Sequence, residues 1–308
     1  MRPSTRTGQE ASAARDLRLV AFDLDGTVLD ATGRPDPHAM DTVRDLLDRG
    51  IHLASISGRS IRRSLQALGG HPDIAAAIHI CGYNGAAAVA PEHAGRRELL
   101  FATRLKQAVL DELTEYTVQW DFNLVYCRCD DSAAGLLEEY RFLRTTGPGL
   151  STADWNGAGY VLDPDLVHRL RRREFGPPPK VMIFAPAAVR EKALANLHRR
   201  FAGRIYVAWA RPELLEVMAP TVDKGIALQR LARRLGLSLD QTAAIGDGNN
   251  DLPMLRRAGT GLLMGDAADG VRQALAGTGV TEVLPFARGG FARAMHDHVL
   301  SRPGLFSP

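Results

Sequence analysis

Four apolar runs of strand length each stop abruptly at polar residues, and this pattern most narrows what the chain can fold into. Leu17 to Phe22 meets Asp23, and Ile51 to Ile56 meets Ser57. Ile78 to Cys81 meets Gly82-Tyr83-Asn84, and Thr242 to Ile245 meets Gly246-Asp247. Runs this short and this apolar read as strands buried on both faces, hence as parallel sheet. Helical patterns lie between them. Asp36-Pro37 supplies an N-cap with proline at the first helical position; Met40, Val43 and Leu47 follow at helical spacing, and Gly50 ends the element. Lys224 to Leu235 carries Ile226, Leu228, Leu231 and Leu235 before Gly236. Strand alternating with helix predicts the α/β class with a doubly wound parallel sheet. Ligands of such sheets bind beyond the carboxyl ends of the strands, where these polar residues collect.

The middle of the chain reads differently. From about Ala86 to Ala219 no strand end carries an acidic cluster. Leu105 to Tyr116 and Val189 to Phe201 read as helices. Asn123 to Arg128, Val181 to Phe184, Ile205 to Trp209 and Leu214 to Met218 read as strands, and a Gly/Pro-rich loop covers Thr145 to Gly159. This is an α+β module inserted into the main sheet. The expected organisation is a tail over 1–16, a core over 17–86 and 220–308, and an inserted cap over 87–219.

Bulk properties restrict the function. A formal net charge of +3 over 308 residues does not suggest a nucleic-acid binder, though it suits an anionic substrate. The arginine pairs, such as Arg62-Arg63 and Arg256-Arg257, fall in helix-like stretches and read as solvated faces. No apolar run approaches the ~20 residues needed to cross a bilayer. The first sixteen residues have no hydrophobic segment and read as a disordered tail. Three dispersed cysteines fit a reducing cytoplasm, and Cys127 and Cys129 read as structural because no further ligand completes a metal site.

The chemistry sits in two acidic turns. Asp23-Leu24-Asp25-Gly26-Thr27 directly follows a buried strand, and so does Gly246-Asp247-Gly248-Asn249-Asn250-Asp251. Neither is a calcium loop: the sixth position holds Val28 in the first and Leu252 in the second, where glycine is required. Nor is the second a dinucleotide fingerprint, because Asp251 takes the third glycine's place. Like charges ~4 Å apart repel by about 1 kcal/mol in water and ~4 kcal/mol at an effective dielectric of 20. Asp23, Asp25, Asp247 and Asp251 are formally −4, and Lys224 and Arg59, where both reach the site, leave −2. A phosphate dianion enters that field only with a divalent cation, and oxygen ligands favour Mg²⁺ over zinc. Ser57-Gly58-Arg59 follows the second strand and is expected to open a helix, where a hydroxyl and free amides form a phosphate cradle.

The order Asp-x-Asp-Gly-Thr, Ser-Gly-Arg, Lys-Gly, then Gly-Asp-Gly-x-Asn-Asp resembles that of the haloacid-dehalogenase-like phosphatases. Tyr83-Asn84-Gly85-Ala86 and the place of the insert resemble the Cof-like branch, whose α/β cap lies between the second and third motifs. The resemblance spans Leu17 to Val299. It implies a Rossmann-like core and a set of roles. Asp23 attacks phosphorus and becomes an aspartyl-phosphate, and Asp25 serves as general acid and then base. Ser57 and Lys224 stabilise the transferring phosphoryl group, with Gly58 and Arg59 beside them on the phosphate. Asp23, the Asp25 carbonyl and Asp247 ligate Mg²⁺, with Asp251 supporting the metal shell; Asn250 contacts phosphate and Asn84 positions substrate. The implied partner is a small phosphorylated metabolite, a sugar phosphate first, with no nucleic acid and no membrane; oligomeric state is not addressed. A phosphomutase, a phosphatase of a disaccharide or glycerate conjugate, or a catalytically silent sugar-phosphate binder are the alternatives. Trp155, Trp209, Tyr126 and Arg211 are candidates for the cap's inner face, with core burial the bland reading for both tryptophans.

Overall fold

A computed structural model describes residues 16–132, 135–144, 160–211 and 213–301, with the side chains of 132, 190 and 209–211 left aside. The expected tail therefore lies, Asp16 apart, outside the described residues. So do Trp155, the loop 145–159, and the side chains of Trp209 and Arg211.

The strands are β1 (Leu19–Phe22), β2 (His52–Ile56), β3 (His79–Gly82), β4 (Ala87–Val89), β5 (Leu99–Ala102), β6 (Asn123–Ser132) and β7 (Gly135–Phe142). They continue as β8 (Tyr160–Leu162), β9 (Lys180–Phe184), β10 (Tyr206–Arg211), β11 (Leu214–Met218), β12 (Thr242–Gly246), β13 (Thr260–Leu263) and β14 (Thr281–Glu282). The α-helices are α1 (Pro37–Asp48), α2 (Ile61–Ala67), α3 (Pro72–Ala77), α4 (Gln107–Gln119) and α5 (Leu166–Arg171). After them come α6 (Arg190–Arg200), α7 (Lys224–Arg234), α8 (Leu252–Arg257), α9 (Asp269–Leu275) and α10 (Gly290–Met295).

The first sheet has eight strands in the order β14-β13-β12-β1-β2-β3-β4-β5, parallel from β14 to β3. Its apolar strands are covered on both sides, as their composition demands. Val20 and Phe22 face a cluster that takes Met40 and Val43 from α1 and Phe291 and Met295 from α10. Leu19 and Ala21 face the other way, toward Leu228 and Leu231 of α7, Met254 of α8 and Val271 of α9. Burying each such large side chain contributes about 1.5–3 kcal/mol. Asp36 caps α1 by accepting the His38 amide, and Gly50 at φ 72° closes it, as the sequence pattern predicts.

The second sheet has six strands in the order β10-β11-β9-β6-β7-β8, antiparallel except for β7 with β8. One face packs on α4, α5 and α6 through Leu113, Tyr116, Leu170 and Leu197. The other face, with Cys127, Tyr140, Met182 and Met218, joins the cluster of the first sheet. Cys127 and Cys129 are buried and unpaired with each other, in keeping with a structural role.

One boundary moves. The sequence reading starts the insert at residue 87, but β4 and β5 extend the first sheet as antiparallel partners beyond β3. Strands of three and four residues carry no periodicity that separates them from the insert. The unit built on the second sheet begins at α4. Among the described residues no helix is long and apolar enough to cross a membrane.

Phe291 packs edge-on against Phe22 with ring centroids 5.7 Å apart. Phe291→Ala should destabilise the protein by about 3–5 kcal/mol, read as a shift in the denaturant midpoint. A loss below about 1 kcal/mol would show that the face under α10 is not close-packed.

Candidate functional site

β1 and β12 are hydrogen-bonded neighbours with Phe22 opposite Ile245, so the residues that follow each strand emerge side by side. Asp23 extends the ladder by one bond, its amide donating to the Ile245 carbonyl at 3.0 Å. Gly26 then turns the chain at φ 73°, where a β-carbon would stand 2.3 Å from Asp247 Oδ2. Both the left-handed backbone and the missing side chain are needed to bring the two acidic turns together.

Lys224 is the first residue of α7, placed by Asp223, whose carboxylate caps the helix by accepting the Ile226 amide at 2.6 Å. Its ammonium is fully buried and donates to Asp23 Oδ1 and Asp251 Oδ1, each at 2.6 Å. Asp251 Oδ2 accepts from the Asp247 and Gly248 amides at 3.1 and 2.8 Å. Asp251 thus spends one oxygen on Lys224 and the other on shaping the second turn. Asp23, Asp247 and Asp251 offer carboxylate oxygens that all lie within 4.8 Å of one another, a group that could hold a metal ion. The donor set is all oxygen, which fits a hard divalent cation.

The electrostatics agree with the fit. Burial raises the Asp23 carboxyl to about 8 against the pull of Lys224, with Asp251 and Asp247 adding to the rise. Burial, then the charge of Asp251, raises Asp247 to about 6. Burial alone would lower Lys224, but Asp23 and Asp251 hold it above its ordinary value. One buried ammonium offsets one of three crowded carboxylates, and the remainder call for a second cation.

Asp25 points elsewhere. Its carboxylate is bound by Arg59, Nε donating to Oδ2 at 2.8 Å and a terminal nitrogen to Oδ1, so it stands outside the three-carboxylate group. Ser57 follows β2, and its Oγ accepts the Arg59 amide at 3.2 Å. The expected helix start is displaced. Ser60 caps α2, which begins at Ile61, and the Ile61 and Arg62 amides donate to the Glu138 carboxylate of β7. Ser57-Gly58-Arg59 is therefore a loop ahead of the helix. A carboxylate from the second sheet, arriving from 77 residues away in sequence, takes the amides that open the actual helix.

Asn84 sits at φ 55° and ψ 30° in a 3₁₀ turn after β3. Its Nδ2 donates to Glu216 Oε2 at 2.9 Å, and its Oδ1 accepts Asn250 Nδ2 at 3.0 Å. Of the sequence-predicted residues, Asp23, Asp25, Ser57, Gly58, Arg59, Asn84, Asp247 and Asn250 line one cavity of about 740 Å³. Lys224 and Asp251 lie beneath it, fully buried.

The opposite wall comes from the second sheet: Tyr140, Lys180, Met182, Ala208, Leu214 and Glu216. Sequence reasoning missed Lys180, Glu216 and Glu138. The usable signal for the first two was a charged residue at the start of, or inside, a strand that is otherwise apolar. Tyr126 does not reach this wall; it belongs to the helix-covered face and donates to the Gly176 carbonyl at 2.6 Å.

Adding a divalent cation should raise the melting temperature, by a larger margin at pH 8 than at pH 5. Carboxyls whose folded pKa is raised bind more protons folded than unfolded between about 4 and 8, so cation-free stability falls as pH rises through that window. A cation that ligates the ionised form cancels that loss. Thermal unfolding with EDTA and with Mg²⁺ at both pH values checks it; an equal shift at the two would remove the coupling.

A family model described as haloacid dehalogenase-like hydrolase matches residues 20–281. An HMP-PP phosphatase of Cronobacter sakazakii is 30% identical over 251 residues, which are 81% of this chain and 85% of that protein. A haloacid dehalogenase-like hydrolase from Bacteroides thetaiotaomicron has the same fold, with a TM-score of 0.74 at 24% identity over 92% of this chain and 99% of its own. A sugar phosphatase of HAD subclass IIB superposes with a TM-score of 0.70 at 18% identity, over 91% of this chain and 98% of that one. The chain belongs to the haloacid dehalogenase-like hydrolases, in their Cof-like phosphatase branch.

Proposed function

We propose that the protein is a Mg²⁺-dependent phosphohydrolase of a small phosphorylated metabolite, a sugar phosphate first, acting through an aspartyl-phosphate on Asp23. One observation carries the reading. Asp23 lines a cavity large enough for a phosphorylated metabolite, tethered through Oδ1 by a buried ammonium and within 4.8 Å of two further carboxylates.

In this reading Asp23 Oδ2, which Lys224 does not engage, forms the bond to phosphorus as the bond to the leaving oxygen breaks. Asp25 gives that oxygen its proton. Water then attacks phosphorus, Asp25 takes a proton from the water, and the Asp23–phosphorus bond breaks to release phosphate. Asp25 leaves Arg59 to do this. The pair is partly exposed, so parting it costs about 1 kcal/mol or less. Lys224 holds the nucleophile in one orientation and meets the charge of the transferring phosphoryl group, with Ser57 beside it. Asp23, Asp247 and the Asp25 carbonyl would hold Mg²⁺, with Asp251 orienting the turn behind them; the ion supplies the charge that admits a phosphate dianion.

The likeness to HMP-PP phosphatases favours a second reading with the same chemistry and HMP-PP as substrate. Buried, unpaired cysteines fit a cytoplasmic site of action, and recovery from an envelope or secreted fraction would overturn that placement.

A panel of sugar phosphates, glycerate and disaccharide phosphates and HMP-PP, assayed with Mg²⁺, should yield free phosphate and rank the esters by kcat/KM. Transfer to a second hydroxyl without net release would make it a mutase, and binding without turnover a sugar-phosphate binder. Asp23→Asn should abolish turnover in a protein that still folds. Asp25→Asn should lower kcat by about 10²–10⁴-fold. Wild-type rates in Asp23→Asn would remove Asp23 from its role.

A further inference from the structure

We infer that Lys180 and Glu216, both on the second sheet, are positioning residues that hold the two phosphate-facing loops in place. The inference rests on the phosphohydrolase reading and adds to it two residues outside the acidic, Ser-Gly-Arg and Lys-Gly motifs.

Lys180 opens β9 and Glu216 lies in the middle of β11. In the antiparallel register Met218 stands opposite Lys180 and Glu216 opposite Met182, so the two charged residues are diagonal neighbours on one face. Both are buried, and Lys180 Nζ donates to Glu216 Oε1. The same ammonium donates to the Gly58 carbonyl at 3.1 Å. The other oxygen of Glu216 accepts Asn84 Nδ2, and Asn84 Oδ1 accepts Asn250 Nδ2. An unbroken chain of hydrogen bonds thus leaves the loop at 57–59, crosses the second sheet, and enters the loop that carries Asp247 and Asp251.

Stability does not explain a buried ion pair here. Desolvating two charges is costly, and well-packed apolar residues of similar volume serve a fold as well or better. What the pair does is aim peptide groups. The Gly58 carbonyl and the Arg59 amide belong to one planar trans peptide, so fixing the oxygen fixes the direction of the N–H. That N–H donates to Ser57 Oγ. Lys180 therefore orients the Ser57 hydroxyl through one rigid unit without touching it. At the far end, Asn84 holds the amide of Asn250, next to Asp251. The same bonds tie the face that carries the leaving-group wall to the face that carries the nucleophile, so both loops take their final position only with the sheets together.

Removing one partner alone would strand a buried charge and lower stability by that route. The informative variant is Lys180→Met with Glu216→Leu, assayed beside the parent on p-nitrophenyl phosphate and two sugar phosphates with Mg²⁺. It should still fold, with a melting temperature lowered only by the unpaired Asn84 amide and Gly58 carbonyl and higher than that of either single variant. Its kcat should fall by about 10–100-fold, the scale of a misplacement near 1 Å, by the same factor for every ester and with KM within about threefold. An unchanged kcat would overturn the inference. So would a loss confined to one ester or appearing in KM, which would make the pair a leaving-group contact. A parent without turnover on any ester would instead be a failure of the phosphohydrolase reading. Amide exchange then decides the positioning role on its own: residues 57–60 should exchange faster in the double variant, and equal rates would overturn it.

Discussion

The site depends on one ammonium group. Lys224 meets Asp23 from 201 residues away in sequence and Asp251 from 27, and its charge lets those two carboxylates lie side by side at the floor of the cavity. Coulomb repulsion between like charges at such separations runs to several kcal/mol at the dielectric of a protein interior. The buried cation turns that repulsion into a fixed geometry, with Asp23 held by one oxygen and Asp251 spent on folding the second turn. It does so incompletely. Burial first, and then the neighbouring carboxylates, raises the carboxyls of Asp23 and Asp247, and a divalent cation has the charge and oxygen preference to hold them ionised.

A second constraint is stored in the backbone. Tyr83 and Asn84 are both left-handed, at φ 56° and 55°, where asparagine is tolerated and tyrosine is not at ease. Such residues cost about 1–3 kcal/mol each and persist where their surroundings hold them. Here the strained turn sends the Tyr83 and Asn84 amides to the Arg59 and Ser57 carbonyls at 2.8 and 2.9 Å. Their side chains go the other way, Tyr83 Oη donating to Glu138 and Asn84 Nδ2 to Glu216. Two adjacent residues thus bind the Ser57-Gly58-Arg59 loop with their backbones and the second sheet with their side chains. The junction between the two sheets and the loop at 57–59 is one structure.

This arrangement explains what was legible in the sequence. A parallel sheet writes its strands as short apolar runs and places its chemistry at their ends, so β1, β2, β3 and β12 and the residues after them could all be read in order. The acidic turns pointed to a cation because carboxylates gathered at one sheet edge repel one another; of the four counted, three converge, and Asp25 turns to Arg59 instead. The contacts between the sheets left weaker marks. Glu138 stands beside Glu139 in a strand of mixed polar and apolar residues, and only the fold brings it to the α2 amides. The loop at 57–59 resembled a helix start because Ser60, the actual cap, repeats the same residue type three positions later. Tyr126 could be assigned to a strand but not to a face, since a single-residue change of register exchanges the faces. β4 and β5 were too short to declare which sheet they join.

The division of labour between the sheets also decides where selectivity must arise. In the proposed reaction Asp23, Asp25, Ser57, Lys224 and Asp247 all act on a phosphoryl group and an ester oxygen, which every phosphate monoester presents alike. Interactions common to all substrates raise every rate together and discriminate between none. Discrimination falls to the wall formed by Tyr140, Met182, Ala208 and Leu214, where the polar groups of Lys180 and Glu216 are already committed to each other and to Gly58 and Asn84. A leaving group that met this wall would gain from shape and apolar contact far more than from a new ion pair, because recruiting Lys180 would break the bonds that hold Ser57 in place. Under the proposed function, exchanging the apolar wall residues should change the preferred ester while keeping the chemistry, and exchanging the charged pair should not.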